Sequence, residues 1–267
     1  MVNSKALIGI VGLMALAVLI IAFKPGDADK QKSEVKTEVE SFAVVELFTS
    51  EGCSSCPPAD KVLADIVKKA QGSDQRIFAL AFHVDYWNRL GWKDEYSSAE
   101  YSQRQRSYAR ALRSSVYIPQ IVVNRKNGFV ESSSARAANS IENGLERPAA
   151  ASVELTNFKM ADNQLQVDFN ISGTYSGSVL NAAVVKRGIV TDVKRGENGG
   201  CKLRHENVVR SFRTLDLQKA NGSATLQLPD DIDMNNASVI AYVQNPDSKE
   251  IIGAQGQDLK TNLSMVK

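Results

Sequence analysis

Hydrophobic and polar residues follow two different patterns along this chain, and the pattern changes near residue 148. Before this point, unbroken apolar runs alternate with polar stretches in which apolar residues recur at helical spacing. Such runs are typical of buried strands, and the helical spacing is typical of amphipathic helices. The pattern therefore predicts an α/β domain over residues 42–147. Its strands are expected at 42–48, 76–84 and 116–124, and its later helices at 97–114 and 133–145.

The second half alternates apolar and polar residues over short runs, a period typical of strands with one buried face. Turn residues such as Asn221-Gly222 and Asn245-Pro246 separate these runs. Six or seven such strands predict an all-β, sandwich-like domain over residues 148–267. The strands are expected at 152–158, 164–171, 179–186, 208–217, 224–228, 238–244 and 251–255.

The N-terminal segment predicts where the protein is located. Residues 6–23 are apolar and carry no charge, which is typical of a secretory signal or a short membrane anchor within segment 1–23. A buried core helix is the alternative, but a polar linker at 24–41 follows the run. We therefore expect a periplasmic or secreted body, anchored to the inner membrane through 6–23 if the segment is not cleaved.

Composition narrows the possible classes of protein. The chain has 267 residues, of which 43% are hydrophobic and 23% are charged, and its net charge is +2. These values indicate a globular body, and the absence of a Lys/Arg stripe predicts no nucleic-acid partner. Three cysteines are too few for a disulfide scaffold.

The main candidate for chemistry is the Cys53-x-x-Cys56 motif, which follows an apolar strand and a turn and opens a helix. Two cysteines in the first turn of a helix can reach each other at the separation that a disulfide needs. The helix N-terminus would stabilise a Cys53 thiolate. Pro57 and Pro58 are compatible with this first turn, because its N–H groups have no intrahelical partner.

Two other interpretations of the cysteine pair stay open. Half of a zinc site needs two further ligands, for which the chain offers His83, His205, Cys201 and carboxylates. A purely structural bridge is the second alternative. The strand–turn–cysteine–helix context favours redox chemistry over both.

Three sequence strings resemble the bacterial secreted proteins grouped as domain of unknown function 1223, a thioredoxin-like family. The strings are VELFTSEGCSSCPPAD at 45–60, FHVDYWNRLGWKD at 82–94 and PQIVVN at 119–124. The predicted order strand–helix–strand–helix–strand–strand–helix is also that of a thioredoxin fold. The family's substrate is not established, so the resemblance implies fold and location more than activity.

The resemblance to thioredoxins also implies roles for single residues. It implies a cis peptide bond between Ile118 and Pro119, facing Cys53, and a buried carboxylate on the first strand, a place that Glu46 nearly matches. The chain departs from thioredoxin itself, because no Trp precedes Cys53 and the inner pair of the motif is Ser-Ser.

These residues predict a thiol–disulfide exchange mechanism. Cys53, expected to be the more exposed cysteine, would attack a substrate disulfide, and Cys56 would resolve the mixed disulfide. A buried Glu46 would exchange a proton with Cys56, unless it forms a salt bridge or faces the surface. Pro119 would present a backbone edge without an N–H to an extended substrate.

A second cluster follows the second strand, where the carboxyl end of an α/β sheet tends to hold ligands. It contains His83, Asp85, Tyr86, Trp87, Trp92 and Asp94. We predict that His83, Trp87, Trp92 and Ile118 contact substrate. The alternatives are a hydrogen-bonded structural histidine and tryptophans that only pack.

The Gly-rich segment 193–207 is too long for a plain hairpin. We expect it either to cover the cysteine site, bringing the positive charges of Lys194, Arg195, Lys202 and Arg204, or to form a mobile surface loop. Cys201 lies in this segment and is unpaired by count.

Together these observations predict an extracytoplasmic thioredoxin-like thiol–disulfide oxidoreductase that uses neither a cofactor nor a metal. Its partners would be protein thiols or disulfides in the periplasm, and the membrane if the N-terminal segment is retained. One alternative is a non-catalytic binding module in which the Cys53–Cys56 disulfide is structural. Another is copper handling by Cys53, Cys56 and His83, because thiolates and imidazole suit copper.

Overall fold

The computed structural model describes residues 40–125, 127–130 and 133–265, and describes no side chains for 127–130 and 263–265. The predicted signal or anchor at 6–23 and nearly all of the linker at 24–41 lie outside these residues. The described residues belong to one compact unit. Within them, no helix is both long and apolar enough to cross a membrane.

The first half of the chain contains the strands and helices in the predicted order. Helix α2 is shorter than expected by two residues at each end, α3 begins one residue later than expected, and the strand that follows Pro119 is short. The elements are β1 (Ala43–Thr49), α1 (Pro57–Gln71), β2 (Ile77–His83), α2 (Ala99–Leu112), β3 (Gln120–Val123), β4 (Asn127–Val130) and α3 (Ser134–Leu145), with a short 3-10 helix at Asn88–Leu90.

Helix α1 begins where the sequence predicts, for local reasons. Pro57 and Pro58 occupy its first two positions, where no backbone N–H is required. Asp60 lies in the first turn, and Lys68 and Lys69 lie in the last, so the charges complement the helix dipole. These local features set the start of α1, and its apolar face packs against the sheet.

The second half contains all seven strands expected from the alternating pattern and three more. The additional strands are β8, β9 and β14, and each has four residues or fewer. The elements are β5 (Ala151–Ala161), β6 (Gln164–Gly173), β7 (Val179–Lys186), β8 (Ile189–Asp192), β9 (Lys202–His205), β10 (Val208–Asp216), β11 (Asn221–Gln227), β12 (Ala237–Gln244), β13 (Ile251–Asp258), α4 (Leu259–Asn262) and β14 (Leu263–Met265), with a short 3-10 helix at Met234–Asn236.

Strands from both halves form one mixed sheet. Among the described residues, eight strands pair in the order β13-β12-β7-β10-β2-β1-β3-β4. The two halves meet where β10 runs parallel to β2, with Val208 opposite Ala81. Asn207 strengthens this junction, because its side-chain amide donates to the carbonyl of Ala79 at 2.8 Å. A four-stranded sheet, β11-β6-β5-β14, and the β8–β9 hairpin complete the described strands.

The predicted fold class, an α/β thioredoxin-like domain followed by an all-β sandwich-like domain, is therefore wrong. The described chain is mainly β, and four strands of its second half extend the sheet of its first half. An alternating pattern shows that a strand has a buried face, but it does not show which sheet the strand joins. The domain boundary between residues 147 and 148 stays a prediction.

The apolar side chains of the core form three clusters on the two faces of the eight-stranded sheet. Helix α2 covers one face of the eight-stranded sheet, where Phe48, Phe82 and Tyr108 pack with Ala183 and Tyr242 from the second half. The opposite face is covered by α1 and α3 on one side and by the four-stranded sheet on the other. The carboxyl ends of β1 and β2 lie at the same edge, with Thr49 opposite His83, and this edge holds the cysteine pair.

Candidate functional site: a buried disulfide beside five ionisable groups

A tight turn connects β1 to α1 and contains both cysteines of the motif. The N–H of Cys53 donates to the Ser50 carbonyl at 3.2 Å, and the N–H of Cys56 donates to the Cys53 carbonyl at 3.1 Å. The sulfur atoms of Cys53 and Cys56 form a disulfide, with the Cα atoms 5.4 Å apart. The predicted disulfide is therefore confirmed.

The position and exposure of Cys53 differ from the prediction. Cys56 is the N-cap of α1, so Cys53 lies in the turn before the helix and not in its first turn. Both cysteines are completely buried, and the expectation that Cys53 is the more exposed is wrong. Ser54 and Ser55 are the exposed residues of the motif, and the Ser55 hydroxyl oxygen lies 3.3 Å from the Cys53 sulfur.

Both tryptophans of the segment after β2 hold this turn in place. The indole N–H of Trp87 donates to the Gly52 carbonyl at 2.8 Å, and that of Trp92 donates to the Glu51 carboxylate at 2.8 Å. Each indole is partly exposed. Their packing role is visible in these contacts, and substrate contact by Trp87 and Trp92 stays a prediction.

The Gly-rich segment covers the turn from the other side. The side-chain amide of Asn198 donates to the carbonyls of Glu51 and Cys53, at 2.8 and 3.0 Å. The Glu197 carboxylate accepts from the N–H and the hydroxyl of Ser54, at 2.9 and 2.8 Å. Gly196 has a φ of 79°, and a Cβ there would lie 3.1 Å from the Cβ of Trp92, so glycine permits this approach.

The segment thus packs beside the site, which was one of the two predictions for it. The side chains that make these contacts are a carboxylate and an amide, and not the predicted basic residues. The bonds from Ser54 lower the pKa of Glu197. The expected contribution of Lys194, Arg195, Lys202 and Arg204 to a Cys53 thiolate stays a prediction. Residues 193–201, which connect β8 to β9 and are called the cover loop below, bring Cys201 to an exposed position.

His83 forms a buried pair with Asp94 at the end of β2. Its Nδ1 lies 2.7 Å from an Asp94 oxygen, and both side chains are inaccessible to solvent. Burial alone would lower the pKa of His83, but the charge and hydrogen bond of Asp94 raise it, with help from Asp60 and Glu51. Burial alone would raise the pKa of Asp94, but His83 and the N–H groups of Glu51 and Tyr96 lower it. Each partner therefore favours the charged form of the other.

A second buried histidine, His205 on β9, lies between two carboxylates. Its Nε2 is 3.8 Å from a Glu51 oxygen, and its Nδ1 is 3.6 Å from an Asp60 oxygen. The rings of His205 and His83 are in edge-to-face contact, with centroids 4.9 Å apart. Burial, with the negative charge of Asp94, raises the pKa of Glu51.

Glu46 lies on β1 in a different buried network. One oxygen accepts from Arg104 Nε at 2.7 Å and from the Tyr242 hydroxyl at 3.0 Å, and the other accepts from the Tyr108 hydroxyl. Burial opposes the charge of Arg104, but the carboxylate of Glu46 raises the pKa of this guanidinium. Glu46 is thus salt-bridged, the alternative considered for it, and proton exchange with Cys56 stays a prediction.

The peptide bond between Ile118 and Pro119 is cis, as the resemblance implied. Ile118 is buried in the same apolar cluster as Cys53 and Cys56. The roles predicted for Ile118 and Pro119 in contacting substrate stay predictions.

The described part of the chain contains no group of three or more His, Cys, Asp or Glu side chains that could hold a metal ion. The three residues proposed to bind copper each have another partner. Cys53 and Cys56 are bonded to each other, and Nδ1 of His83 bonds Asp94.

Sequence reasoning missed Asp60, His205 and Asn198 as parts of the site. Asp60 is a carboxylate on the otherwise apolar face of α1, and this is the one signal that the pattern offered. His205 and Asn198 lie in segment 193–207, for which one of the two expectations was that it covers the site, but the pattern did not indicate that these two side chains would be buried there.

The chain belongs to the family described as protein of unknown function DUF1223, whose model matches residues 44–244. The family part of the resemblance is therefore confirmed, and its thioredoxin-like part is not. A comparison with curated proteins finds no match.

Solved structures include a similar protein. A crystal structure of a protein from Agrobacterium tumefaciens is 26% identical, covers 81% of this chain and 94% of its own, and has a TM-score of 0.61. A domain of the outer membrane lipoprotein Omp28 from Porphyromonas gingivalis is 14% identical over 43% of this chain and 99% of its own, with a TM-score of 0.27.

Proposed function

We propose that this protein is an extracytoplasmic thiol–disulfide oxidoreductase that acts through Cys53 and Cys56. The observation that carries the proposal is the disulfide in the turn that caps α1. The positive end of the helix dipole favours a thiolate at Cys56, the N-cap of this helix. Thiolate stabilisation is what distinguishes a reactive cysteine from an inert one.

The exchange follows from the two sulfur atoms. A thiolate of a reduced partner attacks Cys53, the S–S bond breaks, and its electron pair leaves on Cys56 as a thiolate. A second thiolate of the partner then attacks its own sulfur in the mixed disulfide and releases Cys53. The partner is oxidised by two electrons and the cysteine pair is reduced, and the same steps in reverse reduce a partner disulfide.

Burial limits the partners that can react. Both cysteines are inaccessible, and the amide of Asn198 bonds two carbonyls of their turn. Attack on either sulfur therefore requires part of the surrounding structure to move, and the cover loop is the segment bonded to this turn at the surface. We propose that the partner, a protein with an exposed thiol pair or disulfide, displaces this loop.

The same burial favours a second candidate function. In a non-catalytic binding module, the disulfide would only stabilise the turn and would resist exchange. Inaccessible structural disulfides have this property, whereas exposed or strained ones exchange readily.

The test is dithiol-dependent reduction of insulin disulfides by the purified full chain. We expect Cys53→Ser and Cys56→Ser each to abolish the acceleration, and Cys201→Ser to retain it, because Cys201 is exposed and outside the pair. Equal, background rates for the parent and all three variants would favour the structural disulfide.

The location is proposed from the uncharged segment 6–23. An alkaline phosphatase fusion after residue 150 should be active in a bacterial host, because this enzyme needs an oxidising compartment. An inactive fusion that accumulates at normal levels would contradict the location.

A further inference from the structure

Five ionisable side chains surround one another behind the cysteine turn, and the exchange mechanism above uses none of them. We call them the proton cluster, and its members are Glu51, Asp60, His83, Asp94 and His205. All five are at least nine-tenths buried. Three carboxyl groups and two imidazoles in one buried space can hold a variable number of protons.

The cluster adjoins both cysteines through the backbone. Glu51 lies two residues before Cys53, and its carbonyl shares the Asn198 amide with the Cys53 carbonyl. Asp60 lies one helical turn after Cys56 and donates its N–H to the Cys56 carbonyl at 3.1 Å. Glu51 is therefore close in sequence to Cys53, and Asp60 is close to Cys56.

His205 connects these two carboxylates. Its Nε2 lies 3.8 Å from Glu51 and its Nδ1 lies 3.6 Å from Asp60, so the ring spans the gap between them. Within the described residues, neither ring nitrogen has a hydrogen-bond partner, and one oxygen of Glu51 also has none. An imidazole that accepts a proton on one nitrogen and releases one from the other can move protons between the two sides.

The other members are held more firmly. Nδ1 of His83 bonds Asp94, whose oxygens also accept from the N–H groups of Glu51 and Tyr96. One oxygen of Asp60 accepts from the Thr49 hydroxyl at 3.2 Å. Trp92 donates to Glu51, and the Arg210 guanidinium lies 4.7 Å from the Tyr96 ring centroid at the periphery. Both ring nitrogens of His205, one oxygen of Glu51 and Nε2 of His83 are thus the buried atoms of the cluster without a hydrogen-bond partner among the described residues.

We propose that His205 relays protons between Glu51 and Asp60 when the Cys53–Cys56 disulfide is reduced or formed. This inference rests on the proposed function. In reduction by a dithiol, the first thiol gives its proton to solvent and attacks Cys53 as a thiolate, and the electron pair of the broken S–S bond leaves on Cys56, which takes a proton from the cluster. The second thiol of the reagent gives its proton to the cluster and attacks its partner sulfur in the mixed disulfide, so that Cys53 leaves as a thiolate and takes a proton from the cluster. The cluster recovers this last proton from solvent and ends as it began, with two protons passed in total from the reagent to the two cysteines.

Burial makes this relay necessary. A thiolate released in a site without solvent access is costly unless a nearby group protonates it. The raised pKa of Glu51, caused by burial and by Asp94, keeps a proton available at higher pH than an exposed glutamate would. His205 is therefore a positioning and relay residue, and the cysteines remain the reacting groups.

The test is the rate at which dithiothreitol reduces the full chain, in a Cys201→Ser background, at several pH values. Rates are divided by the thiolate concentration of the reagent. Near pH 6 we expect His205→Gln to be slower than the background chain by about a hundredfold, the range typical of proton transfer by a side chain. The difference should disappear near about pH 9.5, where a free thiolate product no longer needs the proton.

The matched control is Asn181→Ala, which removes a buried polar group that bonds Gln244 and Thr214 instead of the cluster. It should leave the pH–rate profile unchanged. A His205→Gln profile parallel to that of the background chain would overturn the relay while leaving the redox function intact. A disulfide that dithiothreitol does not reduce at any pH would overturn the proposed function and, with it, the relay.

A second measurement needs no variant of the cluster. Near pH 6, we expect reduction of the background chain to be slower in D₂O than in H₂O after correction for the thiolate concentration of the reagent, because the relay transfers a proton. Equal corrected rates in the two solvents would overturn the relay.

Discussion

At the scale of single residues, the His83–Asp94 pair makes the stability of the protein depend on pH. The pKa of His83 is raised above its ordinary value of 6.5, so its contribution is complete below 6.5 and is lost as the pH rises through the folded-state pKa. The pKa of Asp94 is lowered below its ordinary value of 3.8, so its contribution is complete above 3.8 and is lost as the pH falls. Both contributions are complete between these values.

We expect His83→Gln to cost about 3–5 kcal/mol of unfolding free energy near pH 5.5, because it leaves the charge of Asp94 buried without its partner. The cost should shrink as the pH rises above 6.5, since the parent then loses its own contribution. Urea unfolding at several pH values measures this difference. A cost that is constant between about pH 5.5 and pH 9 would contradict the charged pair.

Sequence reasoning identified several of these residues but not their roles. Cys53 and Cys56 were predicted as a disulfide because their spacing and context are local features. Glu46 was predicted as a proton carrier, but Arg104 and two tyrosines bind its carboxylate. These partners lie on α2 and β12, which are distant from Glu46 in sequence. The residues around Glu46 therefore do not indicate them.

At the scale of elements, the cover loop closes the site through one side chain. Asn198 is buried and donates to two carbonyls of the cysteine turn, whereas Glu197 accepts two bonds from Ser54 of the same turn at the exposed surface. In an open loop, water would replace the bonds of Glu197, but Asn198 also leaves its packed position. Asn198 therefore controls the opening of the loop more than Glu197.

We expect Asn198→Ala to accelerate reduction of the disulfide by glutathione. Two lost hydrogen bonds in the closed state correspond to about 1–3 kcal/mol, which is roughly a 5- to 150-fold increase in the open population. Asn181→Ala, which removes a buried amide elsewhere, should not change the rate. Equal rates for the parent and Asn198→Ala would mean that the cover loop does not limit access.

The strands of the second half were predictable because their alternation is regular, and their positions agree within a few residues. The β8–β9 hairpin was not, because each strand has only four residues and the connection between them is rich in glycine. Its packing over α1 brings Leu203 and His205 into the interior. Packing against distant elements thus decided the structure of this segment, and local propensity did not.

At the scale of the whole molecule, a buried polar network joins the two halves of the chain. Glu46 on β1 binds Arg104 on α2, and Gln244 on β12 accepts from Arg104 at 3.1 Å. Asn181 on β7 donates to the same Gln244 oxygen at 2.9 Å. The guanidinium of Arg104 also lies against aromatic rings from both halves, including Phe82 and Tyr242.

We expect Arg104→Met to destabilise the whole described unit by about 3–5 kcal/mol, because it leaves the Glu46 carboxylate buried without its charge partner. Asp231→Asn is the matched control. Asp231 pairs with Arg210 at 2.9 Å, but its side chain is 52% exposed, so the loss should be below about 1 kcal/mol. Thermal unfolding followed by circular dichroism compares the two, and equal losses would contradict the role of the network.

The arrangement of the molecule was the least predictable feature. The junction between the two halves of the eight-stranded sheet is a parallel pairing between β2 and β10, which are more than a hundred residues apart in sequence. A period of two residues fixes which side chains of a strand face inward, but it contains no information about the neighbouring strand. The prediction of two separate folds, an α/β domain followed by an all-β domain, was wrong for this reason.

The central claim is that Cys53 and Cys56 form a disulfide that exchanges with partner thiols. The most direct measurement is the reduction potential of this pair in glutathione buffers, using the full chain with Cys201→Ser. We predict a potential between roughly −120 and −270 mV, the range of known thiol–disulfide oxidoreductases. A value below about −300 mV would contradict the claim, because the disulfide would then be a structural bridge that the glutathione pool does not reduce.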